Sequence, residues 1–538
     1  MQPVLNVEDV KRVEYNLTRS GVSVSELMRR AGAAVSQEVI AMGDVGRAII
    51  LAGFGNNGGD GWVAAECLRR SGIGTIVITP INPDDIRGDL PRVVAQSARD
   101  AGVEIVVAPP RERIESLLHV ADVVVDAMLG TGFRGDEPGS PFDIWIDVLN
   151  ESARRVVSVD VPSGLNAQTG HAKGVCVIAD TTVTMIALKP GLLADEGRDA
   201  CGSIVVAPLA EQTERLVLDA DPVAWRMELQ DYGDVIQTPS VAVDKYSRGS
   251  VLVVGGSKRF PGAAIMAARA AARAGAGYVT LAVPSAIVDV VQSHVLEIPV
   301  VGLPSTEEGT FSAEGVSMLK RLAEKSSCVL AGPGMCVNND TMTVASSLLE
   351  IQAPLVFDAD ALNCLARLTN NRLDSFPELT RRPFPLVLTP HHGELGRLMG
   401  LPDTPPDSLT SALEAARRIV WSDGGSEMVI VAKGTATASI SVEAALLPKP
   451  GPATLATAGS GDVLGGIIAA FLAHRSHEVN ISLLCSYACE VHGYAASLAA
   501  QTYGSRGAMA GDIIDEVGVA VDALEEHILM PDIESDEA

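Results

Sequence analysis

Two groups of residues have types and spacing suited to chemistry. The first begins with GFGNNGGDG at 53–61, where Asn56, Asn57 and Asp60 add side-chain donors and acceptors to a run of glycines. The string follows an apolar run and opens a helical pattern, the position at which backbone N–H groups hold an anion. A tight strand-to-helix turn capped by Asp60 is the alternative reading. Polar residues close three further apolar runs: Asp126 in VVVDAMLGTG, Asp160 in VVSVDVPSG with Ser163 behind it, and Lys189 in IALKPG. Strand ends on one edge of a parallel sheet converge, so these groups can share a site. Asp160 and Lys189 can work as an acid–base pair if burial draws their pKa values together.

The second group centres on ATAGSGDVLGGIIAAFLA at 456–473. The amides of Gly459–Gly461 would face an anion with a helix dipole behind them. Asp462 stands where it could take a proton from an attacking hydroxyl, or could merely cap the helix. Asp358 and Asp360 close another apolar run and could position magnesium or cap the next helix. His492, in EVHGYAA, reads as a packed helix residue. The eight cysteines are scattered without a CxxC, and Cys485 and Cys489 read as small buried residues on one helix face.

The elements that must position these residues alternate. In the first half, AIILAG (48–53), TIVITP (75–80), ADVVVDAM (121–128) and RVVSVDVP (155–162) read as strands, with helical patterns at 62–70 and 90–101 and a helical lead-in over 5–42. Val- and Ile-rich strands separated by helices predict a parallel sheet covered on both faces. The pattern weakens after Pro208. A new series starts at SVLVVGG (250–256) and continues at 278–284, 328–334, 354–360, 386–390 and 428–434, followed by a mainly helical end.

The composition bounds the function. The chain has 538 residues, 51 of them Gly, is 47% apolar and 20% charged, and carries a formal charge of -26. That length suggests more than one domain. The acidity disfavours a nucleic-acid binder, which presents a basic face, but leaves room for a nucleotide on a helix N-terminus. No apolar run reaches the ~20 residues of a membrane span, and the first residues lack the apolar core of a signal peptide. A cytoplasmic protein is expected.

The first group resembles the YjeF-type N-terminal domain, the NAD(P)H-hydrate epimerase family, through GNNGGDG (55–61), DAMLGTG (126–132), DVPSG (160–164) and ALKPG (187–191). The resemblance implies that Asn56, Asn57, Gly58, Gly59 and Asp60, with Gly130, Thr131, Gly132, Phe133, Arg134, Gly135 and Asp136, hold a hydrated nicotinamide dinucleotide. It implies Asp160 and Lys189 at the reacting carbon, and a potassium ion on Asn57, Asp126 and Ser163.

The second group resembles the ribokinase-like superfamily through its GxGD signature. GGSKRFPGAA (255–264), AGPGM (331–335), FDADALN (357–363), TPHHGE (389–394) and VAKGTAT (431–437) narrow this to the ADP-dependent NAD(P)H-hydrate dehydratase branch. By this resemblance Ala263, Gly334, His391 and Asp462 contact the hydrate. Lys433, Gly434, Thr435, Ala436 and Thr437, with Gly459, Ser460 and Gly461, hold the adenine nucleotide. Glu394 helps to organise magnesium, and Asp462 is the base. The family pattern HPGE is His391-His392-Gly393-Glu394 here, KGAGT is KGTAT with Ala436 in place of glycine, and Asp244 replaces a histidine before Lys245.

The expected architecture is α/β in two domains. These are a Rossmann-like three-layer αβα domain over 1–212 and a ribokinase-like αβα domain over 241–530, joined by a linker at 213–240. The expected function is bifunctional nicotinamide-nucleotide repair. The first domain interconverts the R and S hydrates (NADHX and NADPHX). The second dehydrates the S form with ADP, releasing AMP and phosphate. The alternative is a ribokinase-like vitamin or sugar kinase fused to a non-catalytic YjeF-type domain. A homo-oligomer is expected, with no nucleic-acid or membrane partner.

Overall fold

The computed structural model describes residues 1–133, 137–152, 154–236, 248–373, 379, 382–422, 427–475 and 479–529. They form two compact units, the first built mainly from Pro3–Val223 and the second mainly from residues after Ala224.

In the first unit seven strands form one sheet: β1 (Arg47–Ala52), β2 (Gly74–Thr79), β3 (Glu104–Val107), β4 (Val123–Ala127), β5 (Arg155–Val159), β6 (Thr181–Met185) and β7 (Ser203–Ala207). Their order is β3-β2-β1-β4-β5-β6-β7, and every pair is parallel. Alternate side chains enter different cores. Ala48, Ile50 and Ala52 pack with helices α1 (Val7–Arg19), α2 (Val24–Ala41) and α3 (Asn56–Arg70). Ile49 and Leu51 pack with Ile114, Trp145 and Leu149 on the other face. This two-sided burial is why β1 reads as an unbroken apolar run. Strand order reverses between β1 and β4, which opens a crevice beyond their carboxyl ends. The chain closes tightly there. Gly53 donates its N–H to the Ala127 carbonyl at 3.0 Å, and a Cβ at Gly53 would overlap the Met128 carbonyl oxygen.

The second unit repeats the logic with other connections. Its strands are β8 (Ala224–Arg226), β9 (Ser250–Val254), β10 (Tyr278–Pro284), β11 (Val300–Leu303), β12 (Cys328–Ala331), β13 (Leu355–Phe357), β14 (Leu386–Leu388), β15 (Met428–Ala432), β16 (Ala438–Ile440) and β17 (Ala445–Leu447). From β8 the order runs β17, β16, β15, β14, β13, β12, β9, β10, β11. Only the β15–β16 and β16–β17 pairs among these are antiparallel. Helices α4 (Pro261–Arg273), α5 (Asp360–Leu368), α6 (His392–Leu398), α7 (Ser460–His474), α8 (Ile481–Tyr503) and α9 (Ala510–Leu529) complete the parts used below. The order reverses between β9 and β12, so the loops after them meet: Gly256 donates its N–H to the Pro333 carbonyl at 2.7 Å.

The stretch 213–236, expected as part of a linker, is folded. Thr213–Leu218 is helical and buries Val217 in the first unit, while Leu229–Val235 forms a 3₁₀ turn that buries Tyr232 in the second. These pieces are too short to show a period. Residues 237–240 lie outside the described ones. Among the described residues no helix is long and apolar enough to cross a membrane.

Candidate active sites

In the first unit the loops after β1 and β4 enclose a cavity of about 630 Å³ together with α1 and α2. That size suits a small-molecule ligand. Asn56, Asn57, Asp60, Gly130, Thr131, Gly132, Phe133 and Asp160 line it, as do Lys11, Glu14, Leu27 and Met28 from the helices. Helix α3 begins at Asn56, with Gly55 as its N-cap, so its free amides face this space. Gly58 and Gly59 are not in the wall. A Cβ at Gly58 would overlap the Gly53 carbonyl, and one at Gly59 would stand 2.6 Å from Met28 Cε, so these two glycines permit close packing. Arg134, Gly135 and Asp136 lie outside the described residues.

Asp160 and Lys189 do come together. Lys189 Nζ lies 2.5 Å from Asp160 Oδ1, 2.8 Å from Thr184 Oγ1 and 3.0 Å from the Met185 carbonyl. The lysine side chain has no exposed surface, and its three N–H donors are all engaged. It sits behind Asp160 and outside the cavity wall. Burial pushes the Asp160 carboxyl up. The Lys189 charge and hydrogen bonds from Lys189 and the Met185 and Thr131 amides more than reverse this, holding it below the ordinary carboxylate range. The two residues expected as an acid–base pair thus stand in direct contact, the lysine fully buried.

Two other carboxyls in the wall shift the opposite way. Burial, then the charges of Asp160 and Glu14, push Asp60 well above its ordinary value. Burial, then Asp160, raises Glu14, with Lys189 and Lys11 opposing. Glu14 belongs to no motif and sequence reasoning missed it. Its signal was present, because it falls on the stripe of α1 that buries Val7, Val10 and Leu17.

Asp126 is fully buried. Its Oδ1 accepts from Ser163 Oγ (2.5 Å) and the Met128 amide (3.3 Å), and its Oδ2 from the Ser163 amide (2.8 Å) and Ser158 Oγ (2.9 Å). Asn57 lies against Gly130, and its buried Nδ2 has no hydrogen-bond partner among the described residues. Amide, carboxylate and hydroxyl oxygens are the donor set of a hard cation, so these residues fit potassium.

In the second unit three motifs meet at Lys433. Its Nζ lies 2.7 Å from Asp358 Oδ1 at the end of β13, and a Cβ built on Gly461 would stand 3.3 Å from it. Lys433 also donates its backbone N–H to the Pro390 carbonyl at 2.8 Å, which brings PHHGE alongside. Burial, then Asp358, pushes Asp462 up to about 7. Glu394 is likewise pushed up to about 7, by burial first, with Lys433 opposing and Asp358 adding to it. Burial lowers Lys433, but Asp358, Glu394 and Asp462 outweigh it and leave the ammonium above its ordinary value. The GPG loop joins the same cluster, because a Cβ at Gly332 would overlap the Asp358 carbonyl oxygen. One at Gly334 would stand 3.2 Å from Ala263 Cβ.

His391 and Glu394 form a capping box on α6. His391 Nδ1 accepts from the Gly393 amide (3.0 Å) and the Glu394 amide (3.4 Å), and Glu394 Oε2 accepts from the His391 amide (3.0 Å). Burial, then Lys433 and Arg397, holds the imidazole below its ordinary value. The departures from the family motifs are absorbed. His392 occupies the first position of α6, where proline is favoured because its missing N–H has no helical partner, and another residue costs little. Ala436 does not adopt a positive φ, so it replaces glycine without strain. Asp244 and Lys245 lie outside the described residues.

Ser460 turns inward. It is buried, with Oγ 3.2 Å from His492 Nε2, so only its backbone serves the loop. His492 is the packed helix residue expected, and burial pushes it down to about 4. Asp360 caps nothing; its Oδ2 accepts from the Cys336 amide at 2.8 Å. Among the described residues no three His, Cys, Asp or Glu side chains form a ready metal cage. Magnesium brought with a nucleotide needs only one or two carboxylates beside phosphate oxygens, and Asp358 and Glu394 fit that need.

Two α/β units, each gathering carboxylates and a lysine at a switch point, define a two-centre α/β enzyme. The family of NAD(P)H-hydrate dehydratases matches residues 251–518, and that described as YjeF-related protein N-terminus matches 24–191. The bifunctional NAD(P)H-hydrate repair enzyme of Moorella thermoacetica is 37% identical over 500 residues, 90% of this chain and 88% of that one. Its counterpart in Hyperthermus butylicus is 33% identical over 524 residues (95% and 91% of the two chains), and that in Coxiella burnetii 32% over 521 residues (95% and 98%). The chain belongs to the bifunctional NAD(P)H-hydrate repair enzyme family. The alternative of a vitamin or sugar kinase on a non-catalytic domain is not favoured by these matches.

Proposed function

We propose that the protein returns both epimers of hydrated NADH and NADPH to the intact dihydronicotinamide. The first unit interconverts the R and S hydrates at C6. The second phosphorylates the C6 hydroxyl of the S form from ADP and lets phosphate leave, yielding AMP and phosphate. Phosphorylation serves because hydroxide is a poor leaving group. The observation that carries the reading is that both centres are assembled on one chain: Asp160 on Lys189 at a cavity of dinucleotide-fragment size, and Asp462 beside Gly461, Lys433 and Asp358.

In the first unit Asp160, kept ionised by Lys189, accepts the proton of the C6 hydroxyl and returns it. The amides at the start of α3 and the 130–133 loop hold the dinucleotide phosphates. Asn57, Asp126 and Ser163 would hold potassium, whose charge would help to fix anionic parts of the substrate. In the second unit Asp462 takes the hydroxyl proton, and the 459–461 amides with the 433–437 loop hold the nucleotide phosphates. Asp358 and Glu394 would hold magnesium, which neutralises phosphate charge during transfer. Ala263, Gly334 and His391 border the hydrate. Domain limits near 1–212 and 241–530, and a cytoplasmic location, belong to the same reading. Eight free cysteines support a reducing compartment.

The test is to incubate the protein with mixed NADH hydrates, ADP and magnesium while following reduced-nicotinamide absorbance. Recovery of both epimers is expected. Recovery of the S epimer alone would remove the first activity, and phosphorylation of an unrelated metabolite without recovery would remove the second.

A further inference from the structure

Opening the hydrated ring at C6 needs two proton carriers, and the described structure leaves Lys189 unable to be the second. It has no exposed surface, is absent from the cavity wall, and spends all three N–H donors on Asp160, Thr184 and Met185. It is a positioning residue that acts through Asp160. The cavity wall holds two further carboxyls, Glu14 from α1 and Asp60 from α3. Among the described residues neither side chain has a hydrogen-bond or ion-pair partner.

We propose that Glu14 is a catalytic residue of the first unit, the carboxylic acid that protonates the ring nitrogen as the ring opens. This rests on the epimerase reading above. Asp160 takes the C6 hydroxyl proton as the C6–N1 bond breaks. The bonding pair goes to N1, which takes the proton of Glu14, and C6 becomes an aldehyde carbon. Rotation about C5–C6 presents the other carbonyl face. N1 adds back and returns its proton to the Glu14 carboxylate, while the oxygen recovers the proton held by Asp160. The cycle consumes nothing.

Three features favour Glu14. It stands on the apolar stripe of α1, where a carboxyl is costly without a use. Its environment diverges from that of Asp160: the pair's pKa values are driven apart, Glu14 up and Asp160 down, the pattern of an acid and a base sharing one site. Its surroundings are also mixed. Asp160 raises it, and Lys189 and Lys11 lower it, whereas both charges acting on Asp60, those of Asp160 and Glu14, push the same way. A carrier must release its proton as readily as it takes it, and only Glu14 has cations, Lys189 and Lys11, that favour its carboxylate.

The experiment measures R-to-S interconversion by chromatography from about pH 5 to 9, the span over which general acid–base catalysis reports its pKa values, for wild type, Glu14→Gln, Glu14→Asp and Asp60→Asn in the full chain. Wild type should lose rate on the alkaline side as Glu14 gives up its proton, while Asp160, held below the ordinary carboxylate range, stays ionised throughout. Glu14→Gln should lower kcat about 100-fold, leave KM nearly unchanged and lose the alkaline limb. Glu14→Asp should retain the limb at a reduced rate, which separates chemistry from folding. If Glu14→Gln keeps the wild-type rate and limb, or if Asp60→Asn alone removes the limb, the inference is overturned. A wild type that interconverts nothing would overturn the epimerase reading itself.

Discussion

Lys189 stands 2.5 Å from Asp160 and is sealed from solvent, so the carboxylate in the first cavity owes its ionised state to a cation the substrate does not reach. Lys189→Met should remove that support while keeping much of the side-chain volume. Breaking a buried pair by removing one partner typically costs about 3–5 kcal/mol. The variant should unfold earlier in denaturant, and the acid limb of epimerisation should move to higher pH as Asp160 returns toward its desolvated value. Steady-state rates across pH would check this.

The second centre has its own pH signature. Asp462 is pushed up to about 7, and a base must be deprotonated to accept the hydroxyl proton. Dehydration of the S hydrate should therefore rise as pH climbs through about 7 and level off above it. Asp462→Asn should abolish dehydration and leave epimerisation unchanged. Both follow from absorbance at several pH values with each epimer supplied separately.

The same shift has a cost in stability. A carboxyl whose pKa is higher folded than unfolded binds more protons in the native state. Stability is thus lost as pH rises from the unfolded value near 4 toward about 7. Without nucleotide, Asp462→Asn should raise the thermal midpoint of the second unit at pH 8 (above about 7) and change it little at pH 4 (near the unfolded value). Calorimetry at the two pH values would read it, and a gain confined to low pH would contradict the sign.

Gly332 has φ 124°, and a Cβ there would overlap the Asp358 carbonyl oxygen. Gly332→Ala should therefore cost at least about 1–3 kcal/mol from backbone strain alone. It should also shift Asp358, and with it Lys433, lowering dehydration while epimerisation persists. Denaturant titration and separate assays of the two reactions would show whether the effects stay in the second unit.

The strands that set both sites were legible because two-sided burial leaves an apolar run. The sequence reading finds β1, β2, β4 and β5, and the loops after β1 and β4. It misses β3 and β11, short edge strands with few fully buried residues, the edge strand β7, β8 and the antiparallel β16 and β17 of three residues each, and the internal β6, whose TTVTM alternates threonine with apolar residues and so leaves no apolar run. Motif glycines were visible but not their duties. Gly58 and Gly59 serve packing against Gly53 and Met28, contacts set by tertiary structure. The direction of Ser460, turned inward to His492, was equally hidden. Glu14 escaped because it lies about forty residues before the glycine loop, and only folding brings α1 to the cavity.

The central claim is that two complete and separate centres share this chain. Mixing Asp160→Asn with Asp462→Asn tests it most directly. Supplied with mixed R and S hydrates, ADP and magnesium, Asp462→Asn alone should recover none, and Asp160→Asn alone only the S epimer together with what forms spontaneously. The mixture should recover both epimers, because each variant contributes the centre the other lacks. A mixture that recovers no more R hydrate than Asp160→Asn alone would contradict the account.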